Sequence, residues 1–118
     1  METNILEKIV SIPKEFSERS NVSFYTLIDE SGYFKSPDLL QVEKIKKLLT
    51  EDSQKAKDWL NWSENKRTSS GWYFIKKNGK YFIGYYDPKK GNIDEVEYSD
   101  VEDACANFIK NEIEDVKK

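Results

Sequence analysis

The stretch GWYFIKKNGKYFIGYYD, from Gly71 to Asp87, constrains the fold more than any other part of this 118-residue chain. Asn78-Gly79 at its centre is the strongest short signal for a β-hairpin, because a two-residue type I′ turn demands positive φ at both central positions and these residues tolerate it. Once the turn is fixed, the register follows. Trp72 opposes Tyr85, Phe74 opposes Ile83 and Lys76 opposes Tyr81 on one face, while Tyr73 opposes Gly84 and Ile75 opposes Phe82 on the other. Both faces are aromatic or apolar, so the rest of the chain either covers both or leaves one as a binding patch. Cover by the helices that precede the hairpin, giving a sandwich of helices about the sheet, is the preferred reading.

The flanking sequence supplies those helices. Ile5, Leu6, Ile9 and Val10 recur at helical spacing after a candidate cap at Thr3, and Pro13 breaks this helix or starts a second short one through Phe16. NVSFYTLIDESG places Phe24, Leu27 and Ile28 on one face and stops at Gly32. Ser36 and Pro37 read as cap and first residue of a helix carrying Leu39, Val42, Ile45, Leu48 and Leu49. Thr50 or Asp52 restarts or bends the chain into a segment with Ala56, Trp59 and Leu60 inward and Trp62 near its end. After the hairpin, DPKKGN turns into IDEVEYSD, a third strand with Ile93, Val96 and Tyr98. Ser99 and Glu102 match a capping box, and Val101, Ala104, Cys105, Phe108, Ile109, Ile113 and Val116 stripe a final helix. The expected fold is one α+β domain over 1–118: N-terminal helices to about residue 66, a three-stranded antiparallel β-meander over about 71–98, and a C-terminal amphipathic helix over about 100–117 packed on the sheet.

Composition excludes several functions. With no histidine, Ser-His-Asp and Cys-His nucleophile systems and histidine-based zinc sites are ruled out. There is no P-loop and no GxGxxG, and the lone Cys105 lies in an apolar stripe, where a thiol packs as a small inert hydrophobe. Carboxylate pairs such as Asp29-Glu30 and Asp94-Glu95 are what a chain with 22 acidic residues produces without selection for catalysis. The expectation is therefore no enzyme, no catalytic residue, no metal and no cofactor. The N-terminus lacks the basic and apolar regions of a secretory signal, and no apolar run approaches a membrane span, so the expected location is cytoplasmic with no membrane partner.

Charge is unevenly distributed. Residues 71–90 carry five basic side chains against one acidic, whereas 91–118 carry three against nine. The run DEVEYSDVED packs Asp94, Glu95, Glu97, Asp100, Glu102 and Asp103 into ten residues, a surface complementary to a basic partner. An alternative is a single-stranded nucleic-acid module, in which bases stack on the hairpin aromatics above Lys76, Lys77 and Lys80; the net charge of −3 argues against it. A small histidine-independent enzyme is the third reading. In SENKRTSSGWYF, a helix end runs through a polar connection into the first strand, and Lys66 and Arg67 are secondary candidates for partner contact.

The combination of WLNWSENKRTSSGWYF, a short aromatic hairpin and YSDVEDACANFIKNEI resembles small bacterial immunity proteins of polymorphic toxin systems, including those of contact-dependent growth inhibition. The resemblance covers about Trp59 to Ile113. It implies a cytosolic antitoxin whose partner is the toxic domain of a secreted effector, often a nuclease, neutralised by stoichiometric occlusion. Oligomeric state is left open.

Overall fold

The structure, a computed structural model, describes residues 2–19, 22–66 and 71–115, with the side chains of 2–4 and of 65–66 outside that description. The hairpin forms as its turn dictates. Strands β1 (Gly71–Lys77) and β2 (Lys80–Asp87) pair antiparallel in the expected register, Trp72 with Tyr85 and Phe74 with Ile83, around Asn78 at φ 53° and Gly79 at φ 78°. Strand β3 (Gly91–Tyr98) adds to β2, giving a three-stranded antiparallel sheet in the order β1-β2-β3.

Before the sheet come α1 (Glu2–Val10), α2 (Ile12–Glu18), α3 (Phe24–Ser31), two 3₁₀ turns (Tyr33–Lys35 and Pro37–Leu39), α4 (Val42–Glu51) and α5 (Ser53–Lys66). Helix α1 begins ahead of Thr3, so Thr3 is not its cap, and Pro13 sits in the first turn of α2, where a missing N–H costs nothing. Ser36 and Pro37 start the second 3₁₀ turn rather than the long helix; Leu40 and Gln41 intervene in extended or irregular conformation before α4 begins at Val42. Asp52, at φ −143° and ψ 90°, breaks the chain between α4 and α5, so these are two helices. Its side chain then accepts from the Gln54 amide (3.2 Å) as α5 starts.

Helix α6 (Val101–Glu114) closes the fold against the sheet. It is wider in its apolar surface than a stripe: Ala104, Cys105, Ala106, Phe108, Ile109 and Ile113 are all fully buried. A helix buried almost all round lies between two layers. On one side α6 meets the sheet, through rings such as Phe108 and Phe74, whose centroids are 5.6 Å apart, and on the other it meets α4. Trp59 of α5 anchors the junction, fully buried, with its indole N–H donating to the Val10 carbonyl (3.0 Å) and its ring edge-on to Phe108.

This arrangement corrects the sandwich expected from the sequence. Helices α1 to α4 pack on one another and on α5 and α6, and only α5 and α6 make substantial contact with the sheet. The side chains that join the core are those of one face, Trp72, Phe74, Tyr81, Ile83 and Tyr98. The physical reason is the breadth of α6. Its second apolar side needs cover as much as the sheet does, and the N-terminal helices bury that side instead of the far face of the sheet.

Candidate binding surface

The uncovered face is built from alternate residues of three strands. Tyr73, Ile75 and Lys77 from β1 lie beside Phe82, Gly84 and Tyr86 from β2, and Asn92, Glu95 and Glu97 from β3. Tyr73, Ile75 and Phe82 are half-buried by one another, Tyr86 is 39% exposed, and none belongs to the helical core. A β-bulge shapes its centre. The register shifts by one between Ile83 and Tyr85, so that Asp94 and Glu95 together oppose Gly84, and Asp94 takes φ 55°, a left-handed conformation for a residue other than glycine.

The bulge turns Glu95 toward β1, and Tyr73 reaches across the intervening strand to meet it. The phenol donates to Glu95 Oε2 (2.5 Å), spanning the sheet over Gly84. Only glycine allows this crossing, because a Cβ at position 84 would run into the Tyr73 phenol. Burial, then the bond to Glu95, pushes the Tyr73 hydroxyl far above the ordinary range of a phenol, so it stays a donor at any physiological pH. Nearby, Lys77 Nζ sits 5.5 Å from the Phe82 ring centroid, and Phe82 is the direct cross-strand neighbour of Glu97.

The six acidic residues singled out in the sequence therefore do not form one patch. Glu95 and Glu97 lie on the open face and Asp94 stands at the bulge, whereas Asp100, Glu102 and Asp103 gather at the start of α6. In that second group Lys46 of α4 approaches Asp100 (3.7 Å) and Asp103 (4.0 Å), with all three side chains more than two-fifths exposed, a weak and salt-screened arrangement. The expected Ser99–Glu102 capping box does not form, because the N-cap is Asp100 in extended conformation. Instead the Asp100 and Glu102 carboxyls share a hydrogen bond, which holds Asp100 below the usual carboxylate range and raises Glu102. Lys66 is the last residue of α5, its side chain outside the description, and Arg67 lies outside the described residues altogether.

The cationic track required by nucleic-acid stacking is divided by the strand pleat. Lys76 lies over Tyr81 on the helical side, 5.8 Å from its centroid, while Lys77 and Lys80 pair with each other at the hairpin tip on the open side, the face that also carries Glu95 and Glu97. Other candidates for chemistry are absorbed by structure. Glu30 is held by the Arg19 guanidinium through two hydrogen bonds (2.7 and 3.2 Å), and Cys105 is fully buried, its thiol pushed well above its ordinary range by desolvation. Among the described residues no group of three acidic or sulfur ligands is placed to hold a metal.

Comparison with protein-family models, with curated proteins and with solved structures found no match for this chain. No helix among the described residues is long and apolar enough to cross a membrane.

A groove of about 590 Å³ between α2, α3 and α5 escaped the reading of the sequence. Its floor is the stacked pair Phe24 and Trp62 (centroids 4.9 Å apart), and Phe16, 42% exposed, stands at its margin. The signal was present in Phe16, an aromatic just beyond Pro13 on a helix too short to bury it.

Proposed function

We propose that this chain is an immunity protein, which binds a cognate toxin domain in the cytoplasm and holds it inactive by stoichiometric occlusion. The observation that carries the proposal is the uncovered sheet face, apolar at its centre in Tyr73, Ile75 and Phe82 and acidic along β3 in Glu95 and Glu97. Aromatic residues inside a charged margin are the usual anatomy of a recognition surface, and the negative sign suits a nuclease whose substrate groove is basic. The area refines this reading. Three strands of about seven residues cover roughly 330 Å² from their spacing and rise, well short of the roughly 800 Å² per partner of a stable interface. The toxin must therefore reach past the sheet, and the separate acidic group Asp100, Glu102 and Asp103 at the head of α6, beyond the end of β3, is the next acidic surface along that route.

Co-expression with the product of the neighbouring upstream gene tests the proposal. The expected result is relief of toxicity and recovery of a one-to-one complex; loss of both refutes it. Charge reversal at Glu95, Glu97 and Asp100 together should slow association and weaken protection. The nucleic-acid reading predicts salt-sensitive binding of a single-stranded oligonucleotide that depends on Lys76, Lys77 and Lys80. Glu95 and Glu97 within the aromatic face oppose it, and no binding at low salt is expected.

A further inference from the structure

The open face carries its rings and carboxylates in adjacent pairs. Phe82 and Glu97 are cross-strand neighbours, and the Glu97 carboxylate has neither a hydrogen bond nor an ion pair among the described residues. Tyr73 and Glu95 form a second pair, in which the phenol occupies Oε2 and leaves Oε1 without a partner among the described residues. The Phe82 ring already attracts a cation, since Lys77 Nζ lies 5.5 Å from its centroid.

We infer that this face is a receptor for arginine side chains of a basic protein segment. One guanidinium stacks on Phe82 and bonds Glu97, and a second takes Tyr73 and Glu95. The inference rests on the proposed reading of the face as a partner surface and names the partner's chemistry. Arginine is favoured over lysine because a planar guanidinium offers a π-face to the ring and an edge of N–H donors to the carboxylate at once. An ammonium is a strongly hydrated point charge that serves one partner at a time. Lys77 then acts as an internal placeholder, covering Phe82 in the free protein and leaving as an arginine arrives. The head of α6 lacks this pairing, because Asp100 and Asp103 already face Lys46.

The test uses the whole protein and two capped octapeptides of equal charge, glycine alternating with arginine or with lysine, titrated at low salt and followed by amide NMR shifts. The arginine peptide should bind about fivefold or more tightly than the lysine peptide, shifting residues 73, 75, 82, 95 and 97. Glu97→Gln and Phe82→Leu should each remove most of that preference while leaving the lysine peptide little changed. Lys77→Gln should tighten arginine binding about two- to fivefold. Lys80→Gln makes the same charge change without a ring contact and should do less. Equal affinity for the two peptides, shifts centred on 100–103, or equal effects of the two lysine variants overturn the inference. Should Phe82→Leu unfold, Glu97→Gln and Lys77→Gln decide alone. Toxin binding that survives Glu97→Gln and Phe82→Leu but not charge reversal refutes the arginine receptor and spares the immunity reading. Arginine preference without relief of toxicity does the opposite.

Discussion

Replacing Gly84 by alanine tests the central crossing of the sheet. The backbone of Gly84 lies outside the left-handed region, so the substitution carries no intrinsic conformational penalty and its whole cost is steric. The added Cβ collides with the Tyr73 phenol. If the ring stays, overpacking costs about 1–3 kcal/mol. If it swings out, the charge-assisted bond to Glu95 is lost, about 1.5 kcal/mol at this partly exposed position, together with ring packing on the strand. Alanine's smaller entropy loss on folding returns about 0.5–1 kcal/mol. The net is a destabilisation of about 1 kcal/mol, or about 4 °C in Tm for a domain of this size. Urea denaturation of Gly84→Ala, Tyr73→Ala and the double variant measures it. In the Tyr73→Ala background the alanine should be neutral or stabilising, giving a coupling energy of about 1–2 kcal/mol. An equal cost in both backgrounds refutes the argument, because the penalty then lies in the strand itself.

Three further outcomes follow from the geometry. Ser63→Ala leaves the Phe74 amide, which donates to Ser63 Oγ at 2.8 Å in a buried setting, without an acceptor; a loss of about 1–3 kcal/mol in urea and faster hydrogen exchange at Phe74 are expected, and unchanged exchange argues against it. Tyr73, Tyr33 and Tyr98 all have hydroxyls raised by burial above the ordinary value of 10.0, so the fold favours the neutral phenol. Their contribution is fully present below pH 10 and is lost as pH climbs beyond it, so the urea midpoint should fall as pH rises from about 10 to about 12, and by less in Tyr73→Phe. Cys105 should react with a thiol reagent only through opening of the fold, so labelling should accelerate with urea; rapid labelling of the native protein contradicts its burial.

The hairpin register was fully legible, because Asn78-Gly79 fixes a turn and the turn fixes every pair behind it. The stripe of α6 was legible too, but not its width, since Ala106 and Glu112 carry no apolar signal strong enough to place them inside. That width redirected α1 to α4 and opened the far face of the sheet. The bulge was invisible because its left-handed position is held by Asp94, one acidic residue among several, and not by a glycine. Ser36-Pro37 and Ser99-Glu102 misled because a cap pattern states only that a helix can begin there: Leu40 is buried outside any helix before α4 starts at Val42, and α6 takes Asp100, one residue later, as its N-cap. Of the candidate site, the acidity could be read but not its division, because one strand end separates Glu97 from Asp100.

Ser63 also has a bearing on solubility. By taking the Phe74 amide it closes part of the outer margin of β1, while the opposite margin of the sheet is kinked at Asp94 and lined with charge. Exposed strand margins template aggregation, and these two are guarded by different means. A chain that leaves an aromatic sheet face uncovered thereby avoids polymerising through its own backbone, so loss of the Ser63 hydroxyl should show itself as fibril formation on storage as well as reduced stability.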